Sequence, residues 1–388
     1  HVTGVQTCAL PISTGDTSLY YKAILQNLFF ATLNTEMGAG RQFDNGEDDP
    51  CCYHYEKSFK KPGDMLDILS GIPFLNGGLF ESLDRPAEGL WVDGFTHIVD
   101  HQPSIPDVLF FEEGVQVDLS EDYGAKGHEK EPVRGLIRIL NGYKFTIEEN
   151  TPLDEEIALD PELLGKVFEN LLAAYNPETG ITARKLTGSF YTPREIVEHM
   201  VDESLISYFS DKLSDQSSGE ELETVQSKVR RLVTFSDQSP EFTEKQVSTL
   251  IHAVNTIKVL DPAVGSGAFP MVVLNKLVYI LKRLDPHNKK WEEKQIEDTS
   301  SISDVAIREH TVAEIRRAFA DNEMDYGRKL YLIQKCLFGV DIQPVAVQIA
   351  KLRFFISLVV DQVVDPNKQN LGLIPLPNLE SKFVVANT

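Results

Sequence analysis

Ile257-Lys258-Val259-Leu260-Asp261-Pro262-Ala263-Val264-Gly265-Ser266-Gly267-Ala268-Phe269 is the stretch whose reading decides the fold. A short run of strand character ends in an acid, passes through a glycine turn and runs into an apolar segment, Ala268 to Leu284, that predicts a helix. Strand, tight loop and helix in that order open a doubly wound α/β domain, whose ligands sit outside the carboxyl ends of the strands. Gly265 and Gly267 carry no side chain, so backbone there can approach a ligand and adopt positive φ. The helix start behind them offers unpaired N–H groups suited to a carboxylate or phosphate.

Three ligands compete for such a loop. A phosphate-cradling loop ends in Gly-Lys-Ser/Thr, where this chain has Ala268-Phe269. A dinucleotide fingerprint asks for a third glycine, and Pro270 stands there. The Asp-Pro-x-x-Gly-x-Gly pattern resembles the first motif of class I S-adenosylmethionine-dependent DNA methyltransferases. A structural glycine turn without ligand is the remaining reading, and the rest of the chain has to decide.

The 388 residues are long enough for two domains with their own cores. No apolar run approaches the ~20 residues of a membrane span, so no membrane partner is expected. Val2 to Ile12 resembles the in-frame translation of a sequencing-library adapter, and the chain begins at His1 without an initiator Met. Residues 1–12 are therefore expected to be foreign to the fold, in a reading frame cut at its 5′ end. Adjacent Cys51 and Cys52 make no disulfide framework, which fits a reducing cytoplasm, bacterial or archaeal. The net charge of −22 is awkward for a chain that grips DNA by itself, because phosphate contacts dominate such affinity.

Toward the amino terminus, residues 19–33 carry apolar side chains at helical spacing and predict a buried helix. Cys51-Cys52-Tyr53-His54, His97 and His101 could suggest a metal, but no second ligand pair has zinc spacing, so no metal site is expected. Pro106-Asp107 is followed by no acid-x-Lys at nuclease spacing. Residues 114–131 read as a solvated loop. Residues 160–172 place an apolar stripe behind Asp160-Pro161 and predict a packing helix. Turn-rich residues 176–185 mark a border, giving a mostly helical region over 13–179 and a ligand-binding part over 180–388.

Gly188-Ser189-Phe190-Tyr191-Thr192-Pro193-Arg194-Glu195 follows. Thr192 and Glu195 have capping-box spacing, with Pro193 at the first helical position. Gly-x-Phe-Tyr-Thr-Pro also resembles the motif that precedes motif one in adenine-modifying methyltransferases of the gamma order, where it covers the methionine end of the cofactor. Residues 210–244 read as a solvent-facing helical insertion, and 249–254 as a helix before the core strand. Further on, 305–319 and 326–336 read as helices. Gly339-Val340-Asp341-Ile342-Gln343-Pro344 then places an acid at the tip of a second strand, where a ribose-binding carboxylate belongs. Asp341 as a mere helix cap is the plainer alternative. The 80 residues from Asp261 to Asp341 exceed the ~20 of a minimal nucleotide unit, and an insertion at 285–325 accounts for the excess. Residues 382–386 start a third strand with Asn387 at its tip.

The order of these three motifs is similar to DNA adenine-N6 methyltransferases of type IIG restriction–modification and BREX-type defence systems. That resemblance implies S-adenosylmethionine as cofactor and double-stranded DNA as substrate, with nuclease or defence-system subunits as further partners. It implies an incomplete class I methyltransferase (Rossmann-like) sheet. The cofactor residues it implies are Phe190, Tyr191, Thr192, Pro193, Asp261, Ala263, Gly265, Ser266, Gly267, Phe269, Asp341, Ile342 and Asn387. The family's catalytic Asn/Asp-Pro-Pro-Tyr/Phe occurs nowhere in the 388 residues. The resemblance places that tetrapeptide, and most of the DNA contact, beyond Thr388. No catalytic residue is therefore assigned, and the chain alone is expected to be inactive. The rivals are a protein-glutamine or RNA methyltransferase and a non-catalytic cofactor-binding specificity partner.

Overall fold

A computed structural model describes residues 18–142, 192–214, 222–234 and 240–386, apart from 39–40, 76–77, 79, 119, 121–126, 128 and 321–323. The chain divides into two units, one of residues 1–159 with 365–375 and one of residues 160–364 with 376–388. Residues 1–12, the helix expected at 160–172, the border at 176–185, Phe190 and Tyr191 lie outside the described residues. So do Asn387 and Thr388, and with them the strand tip expected to approach the adenine and the point beyond which the catalytic tetrapeptide is expected.

The second unit is α/β. Its parallel strands β3 (Val259–Asp261), β4 (Leu337–Asp341) and β5 (Phe383–Val385) lie side by side in that order. A two-stranded hairpin, β1 (Val115–Val117) and β2 (Glu131–Val133), belongs to the first unit. In the parallel sheet Asp261 pairs with Gly339, and Asp341 pairs with Val385, so β4 runs two residues beyond the end of β3. The loop after β3 returns to that overhang, with Val264 N–H donating to the Val340 carbonyl at 2.9 Å.

Gly339 is where these layers come closest. A β-carbon there would stand 2.7 Å from the Phe383 ring and 2.7 Å from a Val264 methyl. Both neighbours are buried, so neither can swing out to make room.

In chain order the first unit holds helices α1 (Pro62–Ser70), α2 (Val108–Phe111) and α3 (Leu136–Asn141). The second holds α4 (Arg194–Ser214), α5 (Leu222–Val233), α6 (Glu244–Thr256), α7 (Ala268–Leu284), α8 (Lys289–Asp298), α9 (Val305–Ala320), α10 (Met324–Lys335) and α11 (Pro344–Val359). Helix α7 is the spine of this unit. Met271, Val272, Val273, Leu274, Leu277, Ile280 and Leu281 bury most of it, leaving one narrow face, Asn275 and Lys282, exposed. Lys276 is buried on it too, tolerated because Asp202 of α4 stands 2.8 Å away.

Several sequence expectations need correction. The buried helix at 19–33 is a π-helix, Tyr20–Thr32. From it the Asn27 side-chain amide donates to the Ala23 and His54 carbonyls, at 2.8 and 2.9 Å. The described part of the region expected to be mostly helical is largely irregular chain, because polar side chains replace regular backbone pairing. Asp84 accepts from the N–H groups of Val92, Asp93, Gly94 and Phe95. The solvated loop at 114–131 ends in the β1–β2 ladder, though every residue of β1 is exposed. Helix α5, within the supposedly solvent-facing insertion, buries Val225, Val229, Leu232 and Val233. The insertion at 285–325 holds helix α8 ahead of the expected helix α9, and α8 anchors it with the fully buried Trp291. The helix expected to be capped by Thr192 starts one residue later. The Pro193 carbonyl accepts its first bonds, from Ile196 and Val197.

Residues 365–375, which lie in the chain between α11 and β5, belong to the first unit. Asn370 accepts from Phe74 N–H at 2.7 Å and donates back to the Phe74 carbonyl at 2.9 Å.

The crowding at Gly339 makes a direct prediction. Gly339→Ala should destabilise the protein by about 1–3 kcal/mol, the usual range for overpacking a filled core. Denaturant unfolding of the purified variant measures it, and an unchanged midpoint would refute the close packing of β4 against Val264 and Phe383.

Candidate cofactor site

The site is built from the ends of β3 and β4. After Asp261 the chain turns at Pro262 and Ala263, and Ala263 N–H donates to the Asp261 Oδ1 atom at 3.0 Å. Gly265 and Gly267 have φ of +51° and +87°, a region that side chains other than glycine's enter at a cost of about 1–2 kcal/mol. Space is also tight at 267, since an added β-carbon would lie 3.1 Å from that of Ala350 on α11. Gly267 is the residue before α7 and gives no side-chain cap. The amides of Ala268 and Phe269 therefore open a helix start without a capping side chain of its own.

Asp341 closes the loop from the other strand. Its Oδ2 accepts from Gly265 N–H at 2.8 Å, and its Oδ1 accepts from Gln343 N–H at 2.8 Å. Gln343, not Asp341, occupies the cap position of α11. Asp341 is therefore no helix cap: it ties the glycine loop to the tip of the neighbouring strand. Each carboxylate oxygen has a second lone pair, so two acceptor positions remain after these bonds.

The two acids at adjacent strand ends act on one another. Burial raises the Asp261 carboxyl above its ordinary value, the Ala263 amide opposes that rise, and the negative charge of Asp341 adds to it. The Asp261 Oδ2 atom is buried and has no hydrogen-bond donor among the described residues. A buried carboxylate oxygen without a donor is costly, which is why burial raises this carboxyl.

Beneath the loop lies a residue that motif reading missed. Arg353 of α11, 1 % exposed, donates from Nη1 to the Ser266 carbonyl at 2.9 Å. Ser266 is itself buried, so this cation braces the loop from below. The available signal was a charge on a buried stripe: Arg353 continues the face of Ala346, Ala350 and Phe354, where an arginine needs a partner.

Beside the loop, a cavity of about 760 Å³ runs along the outer edge of β3. Met200, Leu205 and Tyr208 of α4 face Leu260, Pro262 and Phe269 across it. Leu260 is 62 % exposed there. Thus Asp261, Ala263, Gly265, Ser266, Gly267, Phe269, Asp341 and Ile342 are brought to one edge of the sheet. Thr192 and Pro193 stand at the start of α4 and do not line this cavity. Among the described residues no helix is long and apolar enough to cross a membrane.

Comparison with known proteins adds a relative. The chain is 26% identical over 370 residues to a protein of Methanocaldococcus jannaschii provisionally named a type II restriction enzyme and methyltransferase. The match covers 95% of this chain and 24% of that protein; the chain spans about a quarter of the length of the curated relative it matches. No protein-family model and no solved structure matches. The likeness supports a restriction–modification methyltransferase family.

The raised Asp261 carboxyl predicts a pH dependence. A carboxyl whose folded-state pKa lies above its unfolded value weighs against folding once pH rises through that folded pKa, and not at all below the unfolded value. Asp261→Asn should therefore gain stability relative to the native protein as pH rises from about 4 to neutrality. Thermal unfolding of both proteins across that range measures the difference. A difference that is flat or falls with pH would contradict the environment described for Asp261.

Proposed function

We propose that the chain is the S-adenosylmethionine-binding part of a site-specific DNA adenine-N6 methyltransferase, with a class I, Rossmann-like sheet, from a restriction–modification or phage-defence system. One observation carries this reading. Asp341 at the tip of β4 and the Asp261–Gly267 loop after β3 converge on one sheet edge, joined by the bond from Gly265 N–H to Asp341. The relative from Methanocaldococcus jannaschii supports the enzyme class. The choice of adenine rests on the likeness of Gly188-Ser189-Phe190-Tyr191-Thr192-Pro193 to the gamma-type covering motif.

The residues present fit this cofactor. Its ammonium group suits the carboxylate of Asp261, which lines the cavity beside the loop, and its carboxylate suits the open amides at the start of α7. Its ribose hydroxyls suit the two remaining acceptor positions on Asp341, each charge-assisted bond worth roughly 1.5–3 kcal/mol. Ile342, 56 % exposed beside Asp341, offers an apolar face for the adenine ring. Phe190 to Pro193 would cover the methionine end, and Asn387 would approach the adenine. When bound, the cofactor supplies an electrophilic methyl group on sulfonium for in-line transfer to the exocyclic amine of a flipped adenine. The chain's task is to hold that cation between two carboxylates and keep the loop rigid beneath it.

A net charge of −22 does not suit a phosphate-gripping surface. We assign most DNA contact, and the catalytic tetrapeptide, to other parts of an enzyme as long as the relative, in the cytoplasm of a bacterium or archaeon. Nuclease or defence-system subunits are the further partners this reading implies.

Isothermal calorimetry with S-adenosylmethionine tests the assignment. Asp341→Ala should weaken binding by at least about 2 kcal/mol, roughly thirtyfold or more, through loss of the ribose contacts and of the bond that holds Gly265. Unchanged affinity in a folded variant would remove Asp341 from the site, and no binding to the native chain would overturn the reading.

A further inference from the structure

In the first unit, three ligand-bearing side chains from separate loops meet. Asp44, His54 and His97 bring one ligand atom each within 4.8 Å of the others. His54 is completely buried. Its Nε2 lies 3.1 Å from the Asp49 carbonyl, an oxygen that can only accept, so the ring proton sits on Nε2. That leaves Nδ1 as a bare lone pair. It has no hydrogen-bond partner, and it faces Asp48 Oδ1 at 4.0 Å. A lone pair aimed at a carboxylate in a dry pocket repels it unless a cation lies between them.

The neighbours prepare that position. Asp44 is held by the N–H groups of Gly46, Asp48 and Asp49. His97 Nε2 lies 2.7 Å from Asp44 Oδ2, and its ring stacks on that of His54 with centroids 4.4 Å apart. Asp48 is fixed by the Thr96 hydroxyl and by His97 N–H.

We propose that Asp44, His54 and His97, with Asp48 as a fourth donor, form a binding site for a divalent first-row transition ion, zinc foremost. Two imidazole nitrogens with carboxylate oxygens suit such an ion and disfavour magnesium or calcium, which take oxygen ligands. The Nε2–H bond from His54 to a backbone carbonyl is the outer-sphere contact that orients a ligating histidine. Ligand distances of about 2.0–2.2 Å need only a small opening of the Asp44–His97 contact and a closing of His54 toward it. Entry is from the His97 side, where that side chain is 39% exposed. The ion would fasten the loops of residues 44–49, 53–54 and 96–97. The ligands are 10 and 43 residues apart, which is why no zinc spacing shows in the sequence.

The test uses the full chain, stripped with a chelator and titrated with zinc by calorimetry in excess magnesium, then loaded with cobalt(II). One zinc per chain is expected, with visible cobalt absorption of four-coordinate strength. His97→Ala should weaken zinc binding at least tenfold while far-ultraviolet circular dichroism stays native. Cys51→Ser with Cys52→Ser should leave binding intact. Should His97→Ala not fold, His97→Gln, which can still donate to Asp44 but offers no imidazole, is read the same way. No saturable zinc binding, binding unaffected by loss of the imidazole, or binding lost with the cysteines would overturn the proposal.

Discussion

One hydrogen bond, from Gly265 N–H to the Asp341 carboxylate, holds together two ends of chain separated by 76 residues. The site depends on it. β3 is three residues long, too short to position a loop by its own ladder. The loop borrows order from β4, first through Val264 N–H on the Val340 carbonyl and then through Gly265 on Asp341. Gly267 then turns into α7 in tight space and in a conformation that only glycine satisfies without strain.

The helical layer serves the same end. α7 is buried over most of its surface, so the loop that feeds it cannot drift without disturbing a packed apolar helix. From α11, Arg353 braces the Ser266 carbonyl, and Ala350 sets the floor under Gly267. A buried arginine is an expensive brace. It is tolerated because the Ser266 carbonyl, also buried, needs a donor at that depth.

Much of this was legible in the sequence where local chemistry dominates. The start of α7 at Ala268 and its end at Leu284 agree with the expectation, because an apolar run bounded by Gly267 and Asp285 leaves little freedom. The ends of β3 and β4 at Asp261 and Asp341 also agree, as does their parallel pairing. What was not legible depends on partners far along the chain. The π-helix at Tyr20–Thr32 has the apolar spacing of an ordinary helix, and only its backbone bonds, such as Leu33 N–H to the Leu28 carbonyl five residues back, reveal the difference. Asp341 reads from sequence as a ribose ligand or a cap; its bond to Gly265 is a tertiary fact. The approach of His54 to His97 and Asp44 is likewise set by loops whose course no periodicity encodes.

The central claim is that the Asp261–Gly267 loop and the tip of β4 form one cradle for one cofactor. Hydrogen–deuterium exchange of the native chain with and without S-adenosylmethionine tests it most directly. The account predicts that the cofactor slows exchange together in the peptides spanning 261–269 and 339–345, with the same concentration dependence. Protection of one peptide without the other, or protection confined to other parts of the chain, would contradict it.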